Sequence, residues 1–224
     1  MPAFSESTLQ SESVVRVLDR LYSVSEEIDP DIVSHAKKEA QNRGKATDSG
    51  VADLLGKAFL PVSREMGRLL YILARTQNSR TIVEFGTSFG ISTIFLASAL
   101  RDNGGGLVIT SELNAEKVKA ARFNLHEASL SELVEIREGD ALTTLRETES
   151  TVDLLFLDGW KDAYLPVLKL IEPHLRHGSL VIADDLDIYP DVLKPYLDYV
   201  RHPKSGYISV EVPLGDRIEV SLLP

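Results

Sequence analysis

The chain has 224 residues, of which 43% are hydrophobic and 26% charged, enough for one domain with a sizeable core. Its formal net charge of −10 repels a phosphate backbone, which argues against a nucleic-acid substrate and favours a small molecule. We see neither the ~20-residue apolar run of a membrane span nor a secretory leader. Cysteine is absent, which excludes disulfides and thiolate chemistry and is compatible with a cytoplasmic location.

Residues 1–60 are predicted to form an N-terminal helical cap on the main unit, 61–224, as part of the same domain. Helices are expected where apolar residues recur at helical spacing or between helix-ending residues, over 14–21, 31–43, 51–57 and 64–76. Asp29-Pro30 is typical of a helix start, so it predicts a break between the first two helices. Ser63 lies where the fourth helix would begin.

From residue 81 the pattern changes to short apolar runs that alternate with helical stretches. Strands are predicted over 81–85, 107–110, 133–136, 152–157 and 179–183, and helices over 91–100, 115–128 and 164–175. Two alternating strands, 207–212 and 217–222, predict a terminal antiparallel hairpin. The expected fold is therefore α/β: a Rossmann-like, seven-stranded, mostly parallel sheet with helices on both faces, a C-terminal hairpin and an N-terminal helical extension.

A glycine-containing loop connects the first predicted strand to its helix. Gly86 and Gly90 allow the backbone to approach a ligand at the carboxyl end of the sheet. A dinucleotide fingerprint would also require glycine where Ser88 and Ile91 stand, so a pyrophosphate ligand is disfavoured. Glu84, just ahead of the loop, suits a ligand with an ammonium group. The alternative is a strand–helix turn that needs glycine for its conformation alone.

Acidic residues also follow the second and third strands. Glu112 is placed to accept hydrogen bonds from both hydroxyls of a ribose, or else is a solvated carboxylate at a helix start. The segment Glu138-Gly139-Asp140-Ala141 repeats the pattern and predicts Asp140 near an adenine. Together with the glycine loop, these residues indicate a nucleoside-containing ligand.

Carboxylates end the fourth and fifth strands, which are neighbours in the predicted sheet. Asp158, Asp184 and Asp185 would converge at one edge, where their mutual repulsion favours a hard divalent cation such as Mg²⁺. The alternative is that they cap the following helices. Lys161 is a candidate general base beside this cluster, or a solvated lysine. Trp160, the single tryptophan, is suited to stack on adenine or to pack between helices.

These motifs resemble the cation-dependent O-methyltransferases, the family of catechol O-methyltransferase and plant caffeoyl-CoA O-methyltransferase. The resemblance covers residue 60 to the C-terminus. It is carried by the following segments: Glu84-x-Gly86-x-x-x-Gly90 with Ser92, Glu112, Asp158-Gly-Trp-Lys161-Asp-x-Tyr164, Asp184-Asp185 and Pro213-Leu214-Gly215-Asp216. The stretch 160–166 is especially similar to the catechol enzyme, and 213–216 to bacterial members.

The resemblance implies a class I fold, S-adenosyl-L-methionine (SAM) as methyl donor, Mg²⁺ or another divalent cation, a small hydroxylated acceptor and a homodimer. It implies Lys161 as general base with Asp158 beside it, and a metal held by Asp158, Asp184 and Asp185. The residues implied to line the SAM pocket are Val62, Ser63, Glu84, Gly86, Ser88, Gly90, Ser92, Glu112, Asp140, Ala141, Asp158 and Trp160.

Two positions depart from the family pattern. Asp185 stands where Asn is usual, which adds negative charge at the metal site, and Arg217 stands where Gly is usual. Three other functions remain compatible with the sequence: a metal-independent methyltransferase, a nicotinamide-dependent dehydrogenase on a similar sheet, and a non-catalytic binding protein. Acceptor choice is expected to depend on the N-terminal helices and on residues 186–200, where Tyr189, Pro190 and Tyr196 suggest an aromatic wall.

Overall fold

The computed structural model describes residues 7–43 and 55–224, and of residues 40–43 the backbone alone. The helices are α1 Glu12–Arg43, α2 Arg64–Thr76, α3 Ile91–Asp102, α4 Ala115–Glu127, α5 Ala141–Thr144, α6 Tyr164–Ile171 and α7 Pro190–Val200. The strands are β1 Thr81–Phe85, β2 Leu107–Glu112, β3 Val134–Glu138, β4 Val152–Leu157, β5 Leu175–Ala183, β6 Ile208–Val212 and β7 Ile218–Leu222. Most of the predicted helix 51–57 lies outside the described residues.

The seven strands form one sheet in the order β3-β2-β1-β4-β5-β7-β6. Strands β1 to β5 pair in parallel, and β7 pairs antiparallel with both β5 and β6. The predicted mostly parallel sheet with an antiparallel terminal hairpin is therefore confirmed. The order reverses between β1 and β4, the place where open α/β sheets bind ligands at the carboxyl ends of their strands.

Both faces of the sheet are covered, as parallel strands require. Neighbouring residues of one strand enter different cores: Ile82 packs with α1, α2 and α3, whereas Val83 packs with α6 and α7. All six residues of β4 are buried. The continuous apolar runs of the sequence thus form strands that are enclosed on both sides.

The N-terminal helix differs from the prediction. A single helix runs through Pro30, so the expected break at Asp29-Pro30 is wrong. Pro30 is exposed, on the outer side of a helix whose buried residues, such as Leu21 and Ala36, lie on both sides of it in sequence. The carboxylate of Asp29 accepts hydrogen bonds from the backbone N–H groups of Phe59 (2.8 Å) and Leu60 (2.9 Å) and does not cap a new helix.

Other boundaries moved by a few residues, and two helices, the short α5 and α7, were not predicted. The helix predicted over 164–175 ends at Ile171 because Pro173 follows it, and β5 begins at Leu175, four residues before the predicted start. Helix α7 contains Pro195, which made its sequence an unfavourable helix pattern. Helix α2 begins as predicted, with the Ser63 hydroxyl accepting from the Met66 N–H at 3.0 Å.

Among the residues that the structure describes, no helix is both long and apolar enough to cross a membrane.

Candidate active site

The sheet register aligns the ends of β1, β4 and β5. Phe85 pairs with Leu157, and Leu157 pairs with Ala183. The next residues continue this alignment, because the Asp158 N–H donates to the Phe85 carbonyl at 2.9 Å and the Asp184 N–H donates to the Leu157 carbonyl at 3.0 Å. The glycine loop and the two acidic strand ends therefore lie side by side at one edge of the sheet.

The ammonium of Lys161 lies among these carboxylates. Its Nζ is 3.0 Å from Asp185 Oδ2 and 3.9 Å from Asp158 Oδ1, and it donates to the hydroxyl of Tyr164 at 2.7 Å. That hydroxyl in turn donates to the backbone carbonyl of Asp184 at 3.1 Å. Lys161 is 9% exposed, so it is not the solvated lysine of the alternative interpretation.

The aspartates do not cap the helices that follow them. The N-cap of the short 3₁₀ turn 161–163 is Trp160, and the N-caps of α6 and α7 are Ala163 and Tyr189. The capping alternative is therefore wrong for Asp158, Asp184 and Asp185, and these carboxylates need another explanation.

Repulsion within the cluster changes the acidity of two aspartates. Burial, together with the charges of Asp184 and Asp185, raises the pKa of Asp158 well above its usual value. Burial and the charge of Asp185 likewise raise the pKa of Asp184. Three carboxylates face the single ammonium of Lys161, so the cluster carries an excess of negative charge. A second positive charge would relieve this repulsion.

The charge and the oxygen donors of the cluster fit a hard divalent cation. However, within residues 7–43 and 55–224 no three acidic, histidine or cysteine side chains already stand in a shared ion-binding arrangement. Lys161 bridges towards Asp158 and Asp185, and Asp184 Oδ1 accepts from the Asp185 N–H at 2.9 Å. The three-aspartate metal site stays a prediction.

The two positions that depart from the family pattern, 185 and 217, both have a left-handed backbone conformation. Asp185 has a φ of 61°, a left-handed conformation that Asn and Asp adopt more readily than other side chains. Arg217 has a φ of 60°, which explains why glycine is usual at this position. The guanidinium of Arg217 pairs with Asp187 and, at 2.7 Å, with Glu211. It thereby ties the β6–β7 hairpin to the segment after β5.

Gly86 is required by the backbone and not only by a ligand. Its φ is +106°, and a Cβ at this position would lie 2.5 Å from the Asp158 carbonyl oxygen. Gly90, with a φ of +87°, is the N-cap of α3. The loop thus joins β1 closely to β4 before the chain turns into the helix.

Glu84 is fully buried beneath the loop. Its carboxylate accepts hydrogen bonds from the hydroxyls of Ser92 at 2.7 Å and Thr93 at 2.5 Å, and burial raises its pKa. These contacts tie β1 to the first turn of α3. The predicted contacts of Glu84 and Ser92 with SAM stay predictions, since both side chains already have internal partners.

Glu112 contacts the glycine loop from the end of β2. Its two carboxylate oxygens accept one backbone N–H each, from Ser88 and from Asn114, both at 2.8 Å. Asp140 caps α5 through the Leu142 N–H at 3.0 Å, and Ala141 is the first residue of that helix. Glu112 therefore connects the end of β2 to the glycine loop, and its contact with a ribose stays a prediction.

Three further predicted residues surround this edge. Trp160 is 37% exposed, as an indole that stacks on a ligand would be. Val62 is buried, and its carbonyl accepts from the Tyr22 hydroxyl of α1 at 2.9 Å. Ser63 uses its hydroxyl to cap α2.

Tyr196 is buried against Tyr164 and belongs to the core, so it is not part of an aromatic wall.

The sequence interpretation missed the contacts that hold the segment before α2 over the glycine loop. Phe59 stacks on Phe89 with ring centroids 3.8 Å apart, and the Ser88 hydroxyl donates to the Phe59 carbonyl at 2.8 Å. Beside Phe89 lies Lys117, an 8% exposed residue that was not predicted as part of the site. Its signal in the sequence was a lysine in the first turn of a helix, where acidic residues are favoured.

The sheet order, the loop after β1 and the acidic strand ends are those of the class I methyltransferase fold. Residues 83–186 match the family model described as a methyltransferase domain. Catechol O-methyltransferase B of Danio rerio is 36% identical over 151 residues, which cover 64% of this chain and 56% of that protein. Caffeoyl-CoA O-methyltransferase 5 of Nicotiana tabacum is 26% identical over 178 residues, 74% of this chain and 73% of that protein.

A solved structure of an O-methyltransferase from Bacillus cereus in complex with SAH (S-adenosylhomocysteine) superposes with a TM-score of 0.70. It shares 21% sequence identity, and the match covers 100% of this chain and 94% of that one, which establishes the fold. The chain spans little more than half of the Danio rerio relative. Its sequence is similar to those of catechol and caffeoyl-CoA O-methyltransferases and its fold to that of a solved O-methyltransferase, so the resemblance predicted from its motifs is confirmed.

Proposed function

We propose that the protein is a SAM-dependent O-methyltransferase that acts, with a divalent cation, on a hydroxyl of a catechol-like small molecule. The observation that supports this most directly is the buried Lys161 among three aspartates, next to the glycine loop. A lysine in this position can take a proton from a hydroxyl, and the carboxylates can hold a cation that binds the same acceptor.

The donor site is proposed between the glycine loop and the ends of β2 and β4. Glu112 would accept hydrogen bonds from the ribose hydroxyls, and the exposed indole of Trp160 would stack on the adenine. The further residues proposed for this pocket are Val62, Ser63, Glu84, Gly86, Ser88, Gly90, Ser92, Asp140, Ala141 and Asp158. When bound, SAM supplies an electrophilic methyl group on a sulfonium.

The cation site is proposed at Asp158, Asp184 and Asp185, whose excess negative charge and oxygen atoms suit Mg²⁺. When bound, the cation supplies Lewis acidity to an acceptor hydroxyl, which as a phenol has a pKa near ~10 in water. Because Lys161 contacts Asp185 in this structure, we expect the two positive charges to share the carboxylates.

Lys161 then has a defined task. After its ammonium has released a proton to solvent, the Lys161 amine would accept the proton of the acceptor hydroxyl, and the O–H bond pair would stay on the oxygen. With SAM bound, that oxygen would take the methyl group while the carbon–sulfur bond pair stays on sulfur, and Lys161 would hold the proton. Tyr164 orients the Lys161 Nζ through the 2.7 Å hydrogen bond. Alignment of oxygen, carbon and sulfur should account for most of the rate enhancement.

A metal-independent methyltransferase is the second candidate, favoured by the pairing of Lys161 with Asp185 and the lack of a preformed ligand set among the described residues. In that case no metal ion would be needed. Lys161 alone would neutralise part of the negative charge of the three aspartates and would activate the hydroxyl of the acceptor. The nicotinamide-dependent alternative has no support from the three relatives named above, each of which is described as an O-methyltransferase.

The test is methyl transfer from SAM to a panel of catechols, caffeoyl esters and hydroxylated polyketides, analysed by mass spectrometry with Mg²⁺ and with excess EDTA. The proposal expects a mono-methylated product that depends on Mg²⁺. Full activity in EDTA would leave only the metal-independent candidate. SAH that binds without any product from the panel would argue for a binding protein.

A further inference from the structure

Lys117 is a buried cation that the proposed chemistry does not use. It is 8% exposed, and among residues 7–43 and 55–224 its ammonium has no carboxylate within 4.0 Å and no hydrogen bond. Its contact is with the ring of Phe89, whose centroid lies 5.6 Å from Nζ. A cation–π contact at this distance is worth about 0.5–2 kcal/mol. That is less than the several kcal/mol that complete burial of an ion costs, and among the described residues Nζ is not a fully enclosed atom, so it can still contact solvent or a ligand.

The position of Lys117 in its helix adds to this cost. Asn114 is the N-cap of α4, so Lys117 is the third residue of the helix, near the positive end of its dipole. The same face of α4 packs on the glycine loop. The Asn124 amide donates to the Phe89 carbonyl at 2.9 Å, and a Cβ on Gly90 would lie 3.5 Å from that of Ala121. Lys117 is thereby held against the proposed donor site.

Carboxylates surround this ammonium at longer range. Burial lowers the pKa of Lys117, whereas the charges of Glu112, Asp29 and Asp158, in that order, raise it. Glu112 is the residue proposed to bind the ribose, and its oxygens each accept only one backbone N–H. A ribose hydroxyl that donates to Glu112 keeps lone pairs that can accept a hydrogen bond from Lys117.

Resting on the proposed function, we infer that Lys117 binds the nucleoside part of SAM and donates a hydrogen bond to a ribose oxygen beside Glu112. The ribose diol is then bound from two sides. Glu112 accepts a hydrogen bond from its hydroxyls, and Lys117 donates one to a hydroxyl oxygen. The ammonium thereby obtains a hydrogen-bond partner, which residues 7–43 and 55–224 do not give it. The inference concerns binding of the donor, and it is independent of the metal.

The test is calorimetric titration of SAH and of 5′-methylthioadenosine, which has the same ribose but no amino-acid carboxylate. Lys117→Met should weaken both ligands by about 10- to 100-fold, the range for a hydrogen bond to a charged group. Lys117→Gln, which keeps a donor, should recover part of the affinity. Lys119→Met removes an exposed lysine from the same helix, and its affinities should stay within about twofold of the wild type.

Thermal unfolding separates this role from a structural one. The midpoint of Lys117→Met should stay close to that of the wild type, because among the described residues the Lys117 ammonium has no ion pair or hydrogen bond to lose and methionine fills a similar volume. Unchanged affinity for both ligands in Lys117→Met would overturn the inference. Weaker binding of SAH alone would also overturn it, and would place Lys117 at the amino-acid part. A wild-type protein that binds neither ligand would instead contradict the proposed function.

Discussion

Replacing Gly86 by alanine tests whether this glycine serves the contact between β1 and β4. The new Cβ would meet the Asp158 carbonyl oxygen at 2.5 Å and its carbon at 2.8 Å, both backbone atoms that cannot rotate away. The left-handed φ of +106° costs alanine about 1–2 kcal/mol. The overlap should add about 1–3 kcal/mol.

Gly105→Ala is the matched control. Gly105 has nearly the same φ, +110°, but a Cβ there has no atom within 4 Å. Both variants place alanine at a similar positive φ, so this cost is common to them. The difference between their melting temperatures therefore reports the overlap of the new Cβ at position 86 with the Asp158 backbone. At ~2–4 °C per kcal/mol for a chain of this size, Gly86→Ala should melt about 2–12 °C below Gly105→Ala. Equal melting temperatures in calorimetry would refute the close-approach argument.

Three further predictions concern catalysis, acid stability and acceptor choice. Lys161→Met should slow methyl transfer about 100-fold or more without changing SAH affinity, whereas the exposed control Lys169→Met should change neither. Burial favours a higher pKa for Asp102, but hydrogen bonds from Thr8 and Tyr71 outweigh it and lower that pKa. Its stabilisation is therefore complete above pH ~4 and lost as pH falls further, so the loss in Asp102→Asn, measured by urea unfolding, should shrink towards pH 3; a constant loss contradicts this. Exchanging residues 188–192 should alter acceptor preference more than SAH affinity, and the reverse pattern would count against it.

Much of the fold could be predicted because parallel strands buried on both faces need continuous apolar runs. Residues 154–157 of β4 form such a run, and the aspartate that follows it lies at the carboxyl edge of the sheet. Adjacent parallel strands end at the same edge, so the nearness of Asp158 and Asp184 followed from sequence order alone. Asp185 and Arg217 both have a positive φ. The resemblance gives Asn and Gly as the usual residues at these two positions, and both types adopt a positive φ more readily than most.

The remaining features depend on tertiary contacts that a local pattern does not contain. Pro30 was expected to end a helix, yet it faces outward and the helix continues through it. The hydrogen bonds of the Glu84 carboxylate with Ser92 and Thr93 were not predicted, because only the packing of α3 on β1 brings these residues together. Lys117 is like any helical lysine in the sequence, and its burial is a property of the fold.

A crystal of the protein grown with SAH and Mn²⁺, with anomalous scattering used to find the metal, examines the proposed chemistry most directly. We predict an anomalous peak in contact with Asp158, Asp184 and Asp185, close to the sulfur of SAH, with the Lys161 ammonium beside it. Density for SAH without such a peak, and with Lys161 still paired to Asp185, would contradict a metal-assisted reaction at this site.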